Sequence, residues 1–351
     1  MCLWTRVIAG LAILPALYLA SSAGAHDKDE FPLRPIRLII GAPPCGEMDT
    51  LARLVGEYVG QDLGQPVIVD YKPGAANNLA AEAVARSEPD GYTLFLGGRA
   101  NITHRTMYPW IKYDYASDLT PLGLVGTAPP ILVAGLHTPI TGVHDLVRIA
   151  KERPGELSCG SVGVGTSAHL MCEILKESLE IDLRHVPLQG SAAALTAMIG
   201  GRIDMQVTVP SAALPYISAG KVRPLAMLGT ARLATLPEVP TLIEAGVAAG
   251  DYRIWYGLLA PTGTPTRVVT RLNQALNAAL KNPKLIESMA RNGVDPATPP
   301  NSPSDFQNLI VSETKLWTGV LRKRRIPPAD PQEVREEGVD LGGSTVRNFW
   351  P

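Results

Sequence analysis

The chain has 351 residues, 46% of them hydrophobic, with 33 Gly, 31 Pro and a formal net charge of -1. That is enough apolar material for one large or two medium cores, and the Gly and Pro suit many short elements, not a coiled coil or a disordered chain. Lys+Arg 32 against Asp+Glu 33 gives no reason to expect a nucleic-acid partner.

The first element is a leader. Arg6 precedes the apolar run VIAGLAILPALYLA, and SSAGA then puts Ala23 and Ala25 in the small-residue positions before a cleavage point. The pattern predicts a secretory signal peptide over residues 1–25, cleaved after Ala25. An apolar run of about 14 residues is short for a membrane span, and no later stretch reaches that length. Export leaves Cys45, Cys159 and Cys172, so at least one thiol is unpaired within the chain. Cys159 and Cys172 are either a bridge between a strand end and the next helix or two buried free thiols.

From Pro35, short apolar runs alternate with helical patterns. IRLII (36–40) predicts a strand, and Asp49–Gly60 sets Leu51, Leu54, Val55, Tyr58 and Val59 at helical spacing. The turn between them delivers the chain to a helix N-terminus, where unpartnered N–H groups and the helix dipole favour an anion. Pro43 and Pro44 stiffen the approach and Gly46 leaves the backbone open; Glu47 and Asp49 compete for the same donors. Cys45 at this helix head also raises a nucleophile reading, with His169 or His185 as base, which Glu47 opposes.

PVIVD (66–70) is a second strand, followed by the turn DYKPGAANNLA (70–80) and a helix over about 77–86. Gly74 supplies flexibility there, and Asn77 or Asn78 either caps the helix or donates to a ligand. YTLFLG (92–97) is a third strand. The succession argues a parallel sheet covered by helices, with both turns at one sheet edge, where open α/β sheets bind ligands.

LGLVG (122–126) and PILVAG (130–135) lead into a second region of the same grammar. It contains a helix over Gly142–Lys151, the strand and turn ELSCGS (156–161) and a helix over Thr166–Leu179. Strands LRHVP (183–187), RIDMQVTV (202–209) and RPLAMLG (223–229) alternate with helices near 191–199 and 211–218. A Pro-rich passage (235–246) precedes the strand IWYGLLAP (254–261) and helices near 265–281, 283–291 and 303–320. From about Lys323 the chain loses periodicity and reads as a loose tail, 324–351.

Within SVGVGTSAH (161–169), Gly163, Gly165 and Ala168 fit the loose dinucleotide pattern G-x-G-x-x-A, with Asp182 downstream. The strand before it is short, and export removes the chain from the cell's nicotinamide pool. A donor-rich helix N-terminus, with hydroxyls from Ser161, Thr166 and Ser167, is the better use. There is no HExxH and the histidines are scattered, which gives no metal site. The pattern favours binding over catalysis, with no cofactor.

Several blocks in order carry a family resemblance: FPLRPIRLIIGAPPCGEMDTLAR, LGQPVIVDYKPGAANNLAAEAVARSEPDGYTL, GVGTSAHLMCEIL, HVPLQGSAAALTAMIGGRIDM, LPYISAGKVRPLAMLGTARLATLPEVPTLIEAG and WYGLLAPTGTP. From about Phe31 to Lys323 the chain resembles the exported substrate-binding proteins of tripartite tricarboxylate transporters, the Bordetella-uptake-gene family. The resemblance implies a type II periplasmic-binding-protein-like fold: two α/β lobes with a ligand cleft between them. It implies a periplasmic, monomeric, non-catalytic protein that hands a small organic acid (a di-, tri- or aromatic carboxylate) to membrane permease subunits. The lobes would be 31–128 plus 252–323, and 129–251.

By the same resemblance, Ala42, Pro43, Cys45, Gly46 and Asp49 bind ligand from the first turn, Asp49 being structural as much as ligand-facing, and Gly74, Ala75, Asn77 and Asn78 bind it from the second. Gly163, Gly165, Thr166, Ser167 and His169 face them from the other lobe, with Thr208 beside the loop after Val209. The chain departs from the family pattern at Cys45 and Ala76, where glycines are usual, at Leu188 for Tyr, and at Ala197 and Thr208 for Asp. Without a carboxylate at 208 an ammonium lacks its partner, so a plain organic acid fits better than an amino acid.

Overall fold

In the computed structural model the described residues are 31–44, 46–188, 190–247, 252–323 and 326–331. The predicted signal peptide, Cys45 and the end of the predicted tail lie outside them. The described residues from Pro32 onward form one unit.

The elements run β1 (Ile36–Ile40), α1 (Glu47–Leu63), β2 (Val67–Tyr71), α2 (Asn78–Ala85), β3 (Thr93–Gly98), α3 (His104–Met107), β4 (Leu119–Ala128) and β5 (Ile131–Gly135). They continue α4 (Val143–Glu152), β6 (Ser158–Ser161), α5 (Ser167–Ser178), β7 (Arg184–Pro187), α6 (Ser191–Ile199), β8 (Met205–Thr208), α7 (Pro210–Ser218) and β9 (Val222–Met227). Last come β10 (Ile254–Pro261), α8 (Thr266–Ala279), α9 (Pro283–Arg291), β11 (Asp295–Pro296) and α10 (Pro303–Lys323).

The strands form two sheets. The first has the order β11-β4-β10-β3-β1-β2 and the second β7-β6-β8-β5-β9. β1 pairs in parallel with β2 and β3, so the turns after all three emerge at one edge. β10 comes from far along the chain and enters antiparallel between β3 and β4, which makes this sheet mixed, not purely parallel. All eight β10 residues are buried, which accounts for the unbroken apolar run IWYGLLAP. In the second sheet β6 is parallel to β7 and β8, while β5 is antiparallel to β8 and β9. The chain passes from the first sheet to the second between Ala128 and Ile131 and returns between Met227 and Ile254.

Local chemistry sets the helix bounds. α1 ends at Gly64, whose φ of 71° is the left-handed conformation that closes many helices. α7 and α9 begin with proline in the first turn, where the missing N–H costs nothing. Cys159 at the centre of β6 is bonded to Cys172 in α5 with Cα atoms 6.1 Å apart, and both residues are buried. Of the segment after Lys323, Ile326 and Ala329 are buried, and the Ala329 N–H donates to the Met107 carbonyl at 2.8 Å.

Candidate functional site

The parallel pairing brings three chain turns to one edge of the first sheet. After β1, residues 41–46 lead to α1, whose N-cap Gly46 has extended backbone and no side-chain cap. Ala42 and Gly46 are half-buried and Pro43 is exposed. Cys45 lies outside the described residues.

Asp49 is buried and serves the frame: its Oδ1 accepts from Arg53 Nε at 2.8 Å and from the Tyr71 hydroxyl at 2.8 Å. This joins the first turn of α1 to the end of β2. Glu47 is half-buried, and the Tyr256 hydroxyl of β10 donates to its Oε1. Loss of hydration raises the Glu47 carboxyl to about 7, against the opposing pull of that hydrogen bond.

After β2 the chain takes an unusual path. Gly74 (φ 131°) is followed by Ala75, Ala76 and Asn77 at φ of 47°, 49° and 74°, three consecutive non-glycine residues in the left-handed region. Such backbone costs roughly 1–3 kcal/mol per residue and persists only where the surroundings enforce it. Asn78 is one enforcer: fully buried, it donates to the Ala75 carbonyl at 2.7 Å and accepts from Tyr113 at 2.7 Å and Asn101 at 3.1 Å. Asn77 donates to the Leu96 carbonyl at 3.2 Å and to Asn101 at 3.3 Å. Its Oδ1 is buried with no partner and lies against Gly41, where a Cβ would fall 2.1 Å away.

The second sheet presents its own edge. After β6, Gly163 and Gly165 adopt φ of 133° and 71°. Thr166 caps α5, accepting from the His169 N–H at 3.4 Å and donating to the Gly163 carbonyl at 2.7 Å. Ser167 is half-buried at the first position of the helix. The Gly165 N–H donates to His169 Nδ1 at 3.0 Å, so the neutral ring carries its proton on Nε2. His169 stacks on His185 with centroids 4.0 Å apart, and His185 Nε2 lies 2.7 Å from Ser161 Oγ. Burial lowers both rings, His169 to about 4 and His185 to about 3, helped by Lys176 and, at His185, by His169. At neutral pH the loop therefore offers hydrogen bonds and no charge.

On β8, Thr208 is buried with an unpartnered Oγ1; Gln206, two residues back on the same sheet face, has both amide atoms unpartnered. Ser211 Oγ at the start of α7 is also buried without a partner. Buried polar atoms are nearly always satisfied, so three such residues between β8 and the start of α7 are unusual.

The two edges approach each other. The Tyr108 hydroxyl, following α3, donates to the Val164 carbonyl inside the second lobe's glycine turn. A Cβ at Gly165 would sit 2.7 Å from that hydroxyl, and φ there is already left-handed, so the contact requires glycine twice over. Tyr108, Tyr256, Gln206, Ser211 and the stacking of His185 do not stand out in the sequence as site features. Gln206 alone left a signal, a polar residue alternating with Thr208 inside an apolar strand. Among the described residues no group of three or more His, Cys, Asp and Glu is placed to hold a metal, and no helix is long and apolar enough to cross a membrane.

Comparison with known proteins agrees with this geometry. The family model described as tripartite tricarboxylate transporter family receptor matches residues 51–326. Protein BugT of Bordetella pertussis is 31% identical over 91% of this chain and 97% of its own. An R. palustris protein solved with adipate is 33% identical, with TM-score 0.80 over 85% of this chain and 99% of that one. MatC from Rhodopseudomonas palustris, with bound malate, is 29% identical, with TM-score 0.77 over 83% and 100%.

Proposed function

The chain belongs to the tripartite tricarboxylate transporter receptors, and from that premise we propose that it binds a small organic carboxylate in the cleft between its sheets and delivers it to the transporter's membrane permease. The observation that carries this reading is the meeting of two sheet edges, one opening on the uncapped N-terminus of α1 and the other holding buried, unpartnered polar atoms, with Tyr108 joining them. Such an edge suits an anion: hydrogen bonds to a charged acceptor are the strong ones, and helix N-termini supply donors without bringing a counter-charge. The adipate and malate held by its structural neighbours support the ligand class.

In this reading Ala42, Pro43, Gly46, Gly74 and Ala75 shape the first-lobe donors, with Cys45 beside them, and Asn77 faces the ligand. Asp49 and Asn78 hold the two turns in place. From the second lobe, Gly163, Gly165, Thr166, Ser167, His169 and Thr208 close over the ligand. The lobes are residues 31–128 plus 252–323 and residues 129–251, and the mature, monomeric protein begins at His26 after cleavage behind Ala25. An acid without an ammonium group is favoured, because Thr208 offers no negative charge.

Calorimetric titration of unfolded and refolded mature protein, which sheds any carried ligand, tests the proposal. The panel is adipate, malate, tricarboxylates, aromatic carboxylates, aspartate and glutamate. One acid binding 1:1 at micromolar affinity or better is expected. Silence from a properly folded protein removes the carboxylate reading, and equal binding of aspartate removes the preference against amino acids.

A further inference from the structure

A carboxylate in the first turn of α1 opposes the very anion this turn is built to receive. Glu47 occupies that place, and its side chain is fixed by Tyr256 of β10. Tyr256 pairs with Gly98 at the end of β3, which locates the Glu47–Tyr256 contact at the sheet edge from which the ligand turns emerge. On the turn after β2 at the same edge, the Asn77 Oδ1 is buried against Gly41 without a hydrogen-bond partner.

Among the described residues Glu47 has the Tyr256 hydroxyl as its hydrogen-bond partner, and burial outweighs that bond. On its own helix, Asp49 is turned to Arg53 and Tyr71. Arg99, the cation near Tyr256, is committed to Glu313 at 3.0 Å, to the Tyr252 carbonyl at 2.8 Å and to the Arg253 carbonyl. The charged residues of α9 (Lys284, Glu287 and Arg291) are exposed, and Arg271 of α8 is paired with Asp62 at the opposite end of α1. Across the cleft, His169 and His185 are neutral at neutral pH.

We propose that Glu47 is a specificity-determining residue of this cleft, a carboxyl group that holds a proton against the ligand's carboxylate, so that binding draws one proton from solvent. The proton stays on Glu47, which donates to the ligand or to a water between them, and no bond of the ligand breaks. Two carboxyl groups sharing one proton are stable at close range where two carboxylates are not. The burial that lifts Glu47 to about 7 places the change within the working pH range. The proposal rests on the cleft being a carboxylate site.

Adipate, or malate if adipate is silent, is titrated into the mature protein from pH 6.5 to 8.5 in two buffers of different ionisation enthalpy. The wild type should take up a growing fraction of one proton as pH rises, with affinity falling toward tenfold per pH unit above about 7. Glu47→Gln should bind with a flat pH profile and without proton uptake. Tyr256→Phe removes the donor that favours the ionised form and should move the inflection to higher pH; it serves equally if Glu47→Gln does not fold. Adipate or malate binding with no proton uptake and no pH slope overturns this inference alone. Affinity that rises with pH and vanishes in Glu47→Gln also overturns it, since Glu47 would then be reading a cation. If both are silent, the acid of the panel above that binds takes their place, and no binding of any of them at any pH overturns the carboxylate reading together with it.

Discussion

Gly41 has two hydrogens on its Cα, and the site depends on the space this leaves. Asn77 fills that space: an added Cβ would lie 2.1 Å from its Oδ1 and 2.4 Å from its Cα. The second distance is to backbone, so a side-chain rotation does not relieve the clash. Gly41→Ala must push away the left-handed run Ala75–Asn77, a segment already held against its own preference by the Asn78 hydrogen bonds. Overpacking of this kind costs about 1–3 kcal/mol. We expect the variant to fold with a urea midpoint lowered accordingly and to lose at least tenfold in affinity for its acid. Unchanged affinity at reduced stability would remove Asn77 from the ligand's surroundings. The same residue shows where sequence reading stops. Asn77 was visible as a cap or a donor, but three successive positive φ values without a glycine leave no compositional trace, because the enforcing bonds come from Asn101 and Tyr113 far along the chain.

The element that most depends on one covalent link is β6 with α5. Residues 162–166 between them carry the second-lobe turn, and the Cys159–Cys172 bond spans that turn with a sequence separation of 13. Closing a loop of this size removes unfolded-state freedom equivalent to about 3 kcal/mol. Cys159→Ala with Cys172→Ala should lower unfolding stability by about that amount, measured in urea. A reductant should bring the wild type to the same midpoint, and its failure to do so would indicate that the bond contributes little. The sequence left two options open for this pair, a bridge or two free thiols, because spacing says nothing of how Cβ vectors point. Other elements were plainly legible. The apolar run 254–261 matches β10 residue for residue, and α6 and α9 begin and end as their periodicity predicts. The four-residue α3 was not legible, being too short to establish a period. Nor was the antiparallel entry of β10 between β3 and β4: strand order is settled by which faces pack, and one strand's residues do not encode it.

At the scale of the whole molecule, the question is what holds the two sheet edges together, and magnitudes separate the contacts. Lys323 and Glu177 form an ion pair at 3.1 Å between α10 and α5, but the lysine side chain is 78% exposed. Pairs of that kind contribute about 0–1 kcal/mol and weaken with salt. Pro210 of α7 packs on Gly293, where a Cβ would sit 2.7 Å from the proline ring, a contact of shape with no directional bond. Tyr108 is different: it is buried, packs edge-on against Trp110, and donates from the first-sheet side into the Val164 carbonyl. A neutral hydrogen bond of this type is worth about 1 kcal/mol net, or roughly a fivefold change in an equilibrium constant. If the closed arrangement is the one that grips ligand, removing the bond lowers its population and weakens apparent affinity by the same factor. Tyr108→Phe keeps the ring and its packing, so the loss should appear as a roughly fivefold faster ligand release in stopped-flow measurements, with association little changed and unfolding stability lowered by about 1 kcal/mol at most. Lys323→Ala, the control across the same junction, should change release less than twofold. Equal effects from the two variants would mean that the buried hydroxyl contributes no more to closure than the exposed ion pair.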